Sequence, residues 1–159
     1  MPDHVVIDTS PLIALERMSA LQLPEDLPFE FLCPTEVQEE IQRGMKLGYP
    51  DIQPEWLNVM SLNAPLSTVA TSSLDKGETA VIQLALEIKA NWVCIDEWKG
   101  RRVALASGLK VVGSLGILAK AKQLAIIDAI GPFIKNAQNH GIRYDSKLIS
   151  SILKHTGEL

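Results

Sequence analysis

The chain has 159 residues, enough for one domain, 1–159, whose core needs no staples. A composition of 47% hydrophobic and 21% charged residues excludes a disordered chain, and two cysteines, Cys33 and Cys94, exclude a disulfide framework. The formal charge of −4 weighs against a nucleic-acid partner unless the acids are gathered in one place.

Val5-Val6-Ile7 is apolar and β-branched, as in a short buried strand. Asp8-Thr9-Ser10-Pro11 follows, with Ser10 suited to cap a helix that has Pro11 in its first turn. Phe29 to Cys33 predicts a second strand. Thr35 and Gln38 have capping-box spacing, which predicts a helix ending at Gly44 with Val37 and Ile41 on its apolar face. Residues 45–54 are loop-like or weakly helical, and residues 56–62 suggest a further strand. Asp75 and Glu78 repeat the capping-box spacing. The helix that follows should bury Ala80, Val81, Leu84, Ala85 and Ile88, a period of about 3.6. Trp92 to Ile95 predicts a buried strand ending at Asp96, and residues 101–106 a helix stopped by Gly108. Lys110 to Val112 predicts another strand. Helices over residues 115–122, 132–139 and 146–155 complete the chain, with Gly141 ending the second of them.

Short apolar strands alternating with amphipathic helices indicate an α/β fold with a parallel sheet. In such sheets ligands sit beyond the carboxyl ends of the strands. Asp8 and Asp96 each follow a strand directly, so the fold can bring them together.

Each acid has an ordinary explanation. Asp8 and Asp96 suit turns or caps. Glu40 suits a solvated helix face, which Glu36 shares while Glu39 points elsewhere. Glu78 suits a helix cap held with Asp75. Together they suit something else. Hydrolysis of a phosphodiester needs a polarised phosphoryl oxygen, an activated water and a stabilised leaving oxygen, and hard cations supply all three. Mg²⁺ and Mn²⁺ take carboxylate oxygens, with waters completing the shell. Two such ions would bring the formal charge of −4 to about zero. Lys99, Arg101 and Arg102, close after Asp96, either form a solvated basic face or steer phosphates. Arg101 and Arg102 point about 100° apart on a helix, so not all three can face one groove. Arg101 has the alternative of pairing with a nearby acid.

Other chemistries lack their residues. His4, His140 and His155 show no metal spacing, and the cysteines no zinc spacing. No phosphate loop or dinucleotide fingerprint occurs. Gly113-Ser114-Leu115-Gly116 reads as an ordinary strand-to-helix turn, although such a turn can bind an anion. A phosphatase of the haloacid dehalogenase type wants a second acid two residues after Asp8, where this chain has Ser10.

The motifs resemble those of PIN domains. Val-Val-Ile-Asp-Thr-Ser-Pro-Leu-Ile at 5–13 is similar to their opening, and Pro34-x-x-Val37-x-x-Glu40-Ile41 to their second acidic motif. Gly77-Glu78-Thr79-Ala80 looks like the Gly-Glu motif of one uncharacterised branch. Ile95-Asp96-x-x-x-Gly100-Arg101-x-x-Ala104 resembles the fourth acidic motif, and residues 112–118 with the C-terminal helices resemble the same branch. The resemblance implies a three-layer α/β/α fold with a central parallel sheet and Mg²⁺- or Mn²⁺-dependent ribonuclease activity. It implies a catalytic and metal-binding quartet of Asp8, Glu40, Glu78 and Asp96, with Ser10 matching a hydroxyl residue often found near the first aspartate. Many relatives are toxins of VapC-type toxin–antitoxin pairs, so the implied partners are RNA, a small antitoxin and a second copy of the chain. Relatives often carry an aspartate directly after the fourth acid. Here Glu97 stands there as an assisting residue, and Lys99, Arg101 and Arg102 are the expected RNA contacts. The alternative is a PIN-like module that grips RNA or a protein without cutting. The opening is unlike a secretory signal, and no apolar run approaches the ~20 residues that span a bilayer, so the expected location is cytoplasmic, away from membranes.

Overall fold

Five short parallel strands form one sheet in the order β3-β2-β1-β4-β5. They are β1 (Asp3–Ile7), β2 (Phe29–Pro34), β3 (Leu57–Met60), β4 (Trp92–Cys94) and β5 (Lys110–Val112). The computed structural model describes residues 2–68 and 73–159. Among these, seven α-helices cover the sheet: α1 (Thr9–Arg17), α2 (Thr35–Lys46), α3 (Lys76–Ile88), α4 (Trp98–Ala106), α5 (Ser114–Gln123), α6 (Gly131–Asn139) and α7 (Ser146–His155). The helix α3 packs on β1, β2 and β4 and touches α2 and α4, whereas α1 touches α5 and α6. The result is a three-layer α/β/α arrangement, as expected.

The central strands are buried on both faces, which is why they read as unbroken apolar runs. Val5, Val6, Ile7, Val93 and Cys94 are all buried. The helix α3 is apolar around most of its circumference and buries eight residues, Gly77 to Ile82 with Leu84 and Ala85. By contrast β3 is an edge strand with only Leu57 partly covered. No helix of the described residues is long and apolar enough to cross a membrane.

Three local expectations are corrected. The cap of α1 is Asp8, not Ser10, and it makes no side-chain capping bond. The carboxylate is therefore left facing other groups. Thr35 and Gln38 form no capping box: Pro34 holds the cap position, and the Thr35 hydroxyl bonds Glu36 Oε1 at 3.1 Å. The helix α2 runs past Gly44 to Lys46 and is stopped where Gly48 turns left-handed, at φ 93°.

Chain order and strand order reverse between β1 and β4. The second and third strands are laid down on one side of β1, and the last two on the other. Ile7 pairs with Cys94 across this seam, and the Asp8 N–H donates to the Cys94 carbonyl at 3.0 Å. A crevice opens at such a switch point, beyond the carboxyl ends of the strands. Asp8 and Asp96 both emerge there.

Candidate active site

Asp8 lies at the bottom of this crevice, 3% exposed. Burial raises its pKa well above the ordinary value. The nearby Thr9 N–H opposes that shift, and the charges of Glu40, Asp75 and Glu78 add to it. Those four acids from β1, α2 and the start of α3 thus share one electrostatic environment.

Glu40 comes from the middle of α2, and its pKa too is raised by burial. The Thr9 hydroxyl donates to Glu40 Oε2 at 2.8 Å and favours its charged form. Asp75 caps α3 as expected, accepting from the Glu78 N–H at 2.7 Å. Glu78 itself is 7% exposed. Burial and the adjacent Asp75 carboxyl push its pKa up to about 7, with Glu97 adding a further like charge. Its Oε2 atom is buried and has no hydrogen-bond partner among the described residues. A buried carboxylate oxygen without a partner costs free energy, and a cation is one way to recover it.

Asp96 keeps different company. Its Oδ1 accepts from the Ser114 N–H at 2.8 Å and its Oδ2 from the Ser114 hydroxyl at 2.8 Å. The anion at the amino end of α5 is thus Asp96 itself, where the helix dipole favours it. The Tyr144 hydroxyl lies 2.7 Å from Ser114 Oγ. Since Ser114 spends its proton on Asp96, Tyr144 is the donor to Ser114. Burial pushes the Tyr144 pKa up to about 12, so that proton stays in place. Burial raises the Asp96 pKa, while Ser114 and the Arg101 guanidinium lower it.

Arg101 is turned inward: its Nη1 donates to the Ile95 carbonyl at 2.8 Å, and its charge acts on Asp96. Of the three basic residues, Arg101 is the one held inside, by a backbone carbonyl and not, among the described residues, by an ion pair with an acid, and Lys99 and Arg102 stay exposed. Ser10 lines the groove beside Asp96 and Glu97, while the hydroxyl that touches the acidic cluster is that of Thr9. The roles of Thr9 and Tyr144 went unread in the sequence, and Ser114 was read only as part of a turn able to bind an anion. Thr9 stands inside the opening motif, and Ser114 opens a helix after a glycine, so both had a local signal. Tyr144 had none.

Two glycines make the packing of the acids possible. A Cβ on Gly77 would collide with the Glu40 carboxylate, and one on Gly100 with Glu78 Oε2 and Ile95. Both sit in helices, where alanine is favoured by about 1 kcal/mol. Gly100→Ala should therefore fold, because the far end of Glu78 can swing aside, but it should displace that carboxylate. Thermal unfolding within a few degrees of wild type is expected, together with loss of any activity that needs Glu78. Normal activity in this variant would show that the position of Glu78 does not matter.

The donor set suits a hard divalent cation: all oxygens, several with raised pKa, one without a partner. Among the described residues, no three His, Cys, Asp or Glu side chains converge on a ready-made ion position. Carboxylates that repel one another and hold protons do not close up alone. An ion bound here would require rotation of side chains and release of protons.

No match is found among curated proteins. A family model described as a PIN domain matches residues 4–158. That match spans nearly the whole described chain, and with it the parallel sheet and the acids at its switch point; this chain belongs to the PIN-domain family.

Proposed function

We propose that the protein is a metal-dependent endoribonuclease acting through Asp8, Glu40, Glu78 and Asp96. PIN domains are generally nucleases, which supports hydrolysis of a phosphodiester. The observation that carries the reading is Glu78 Oε2, a buried carboxylate oxygen with no partner in a cluster of acids with raised pKa. The four acids would hold Mg²⁺ or Mn²⁺. Bound there, the ion would polarise the phosphoryl oxygen and acidify a water. The reaction adds water oxygen to phosphorus, and one ester oxygen leaves with a proton. The residues of the chain prepare that step. Thr9 fixes one oxygen of Glu40. Ser114 fixes both oxygens of Asp96, and each keeps a second lone pair for a cation. Glu78, with a pKa of about 7, gives up its proton at little cost when a cation arrives. A toxin role, with a small antitoxin and a second copy as partners, draws its support from the family relation alone.

The test is cleavage of a mixed RNA pool with Mn²⁺, comparing wild type with Glu78→Gln. Cleavage by wild type, lost with a chelator and in the variant, is expected. RNA binding with no cleavage by wild type in Mn²⁺ or Mg²⁺ would favour the non-catalytic binding module instead.

Lys99 and Arg102 sit on the exposed side of α4, within six residues of Asp96 in the sequence, so they lie near the mouth of the crevice. We propose that they attract the RNA backbone. Removing one phosphate-binding cation should flatten the plot of log affinity against log salt by about 0.7 for a single strand. The double variant Lys99→Ala, Arg102→Ala should thus show a slope shallower by about 1.4. An unchanged slope would locate the backbone contacts elsewhere.

A further inference from the structure

Beside the acidic cluster runs a groove of about 960 Å³. One wall is the start of α4, with Asp96, Glu97 and Trp98. Another part of the lining is the segment leading into α7, with Arg143 and Tyr144, and the first turn of α7, with Leu148. Nothing in the hydrolytic reading uses Trp98. Its side chain is nonetheless 66% exposed, a large aromatic surface left in water two residues from Asp96. The Arg102 guanidinium lies over its ring, 4.7 Å from the centroid, one helical turn along α4. That cation–π contact holds the ring and keeps one face covered. An indole held this way on a groove lined by Arg143 and bordered by a phosphate-hydrolysing centre has the features of a base-stacking platform.

We propose that Trp98 is a nucleobase subsite: it stacks an unpaired base of the nucleotide next to the phosphate being cut. The proposal rests on the nuclease reading and adds what that reading lacks, a contact that grips the substrate by a base and not by a phosphate. Several features favour RNA over a protein partner here. The groove is lined by Asp96 and Glu97 together with Arg101 and Arg143, the Arg102 guanidinium lies over the Trp98 ring, and Trp98 is an isolated aromatic among charged neighbours on α4. A duplex cannot offer a base to this ring without unpairing it. Stacking is sequence-tolerant because every base has a π-face, so the platform selects exposed bases and not a particular one.

The test separates base contact from phosphate contact. The probe is a mixed-sequence RNA ten-mer carrying an end label. A second set of ten-mers replaces one nucleotide at a time with an abasic ribose, leaving the phosphates in place. Affinity is measured in Ca²⁺, so that cutting does not interfere, for wild type, Trp98→Ala, Trp98→Phe and Arg102→Ala. Trp98→Ala should weaken binding of the intact ten-mer by about 5- to 150-fold, the range for removing one base stack. At one abasic position wild type should weaken by the same factor, and Trp98→Ala should lose nothing more. Trp98→Phe should keep most of the affinity, and Arg102→Ala should lose part of it. If Trp98→Ala binds the intact ten-mer as tightly as wild type, the proposal is overturned, and cleavage in Mn²⁺ would still stand on its own. Equal losses for Trp98→Ala on intact and abasic probes at every position would also overturn it. So would a wild-type dimer that Trp98→Ala converts to monomer with RNA affinity unchanged, which would assign the ring to a protein interface.

Discussion

Asn in place of Asp8 is expected to abolish cleavage while making the metal-free protein more stable. Asp8 is buried among the charges of Glu40, Asp75 and Glu78, and its pKa is held well above normal. Ionising it there costs free energy that a bound cation would return. Asn has the same shape, carries no charge and can donate to a neighbouring carboxylate. The loss of activity should exceed the ~10–100-fold typical of removing an outer-shell partner of a metal ligand. Each kcal/mol gained should raise the Tm of a protein of this size by about 2–4 °C. Thermal unfolding in a chelator and RNA cleavage in Mn²⁺, measured on the same preparation, check both halves. A lower Tm in the chelator would mean that Asp8 is structural.

The second large effect is on how stability depends on pH. Asp8, Glu40 and Asp96 have raised pKa values, and Glu78 is pushed up to about 7. A carboxyl with a raised pKa in the folded state binds more protons folded than unfolded. Its contribution is fully present below the ordinary value of 4.5 for glutamate and is lost as pH rises through the folded value. The metal-free protein should therefore lose stability steadily from about pH 4.5 to about pH 7. Glu158 works in the opposite sense. Burial pushes its pKa up, but the Ile130 and Gly131 N–H groups and Lys122 outweigh this and lower it to about 2. Its effect thus falls below pH 4.5, outside the window. A divalent cation at 100 times its Kd should restore about 2.7 kcal/mol at pH 8 and much less at pH 5, where the acids hold protons. Melting curves at both pH values, with chelator and with Mn²⁺, provide the check. A Tm that rises from pH 5 to pH 8 without metal would contradict the shared acidic environment.

Much of this was legible in the sequence because the signals are local. Val5-Val6-Ile7 and Trp92 to Cys94 are short apolar runs, and a strand buried on both faces has no other appearance. The 3.6-residue period of α3 and the Asp75 cap were legible for the same reason. What stayed hidden depends on tertiary contact. A capping residue and a cluster carboxylate look alike in sequence, so Asp8 and Ser10 could not be told apart as the cap of α1. Gly44 reads as a terminator by composition, yet it adopts helical geometry, and the turn falls at Gly48 where the chain must leave the helix. Arg101 and Arg102 are adjacent in sequence, but the first turns in to the Ile95 carbonyl and the second stays out over Trp98. The line from Tyr144 through Ser114 to Asp96 joins residues from three distant parts of the chain, and no motif announces it.

If these acids give up protons to hold a divalent cation, the exchange has a heat that can be measured. Calorimetric titration with Mn²⁺ at pH 7, in two buffers of different protonation heat, is the direct test. Metal binding at a site whose ligands hold protons must release them, so the measured heat should differ between the buffers. Glu78→Gln should shrink that difference. Saturable binding with a buffer-dependent heat is the predicted result. No binding, or binding with the same heat in both buffers, would contradict proton-linked metal binding at this site.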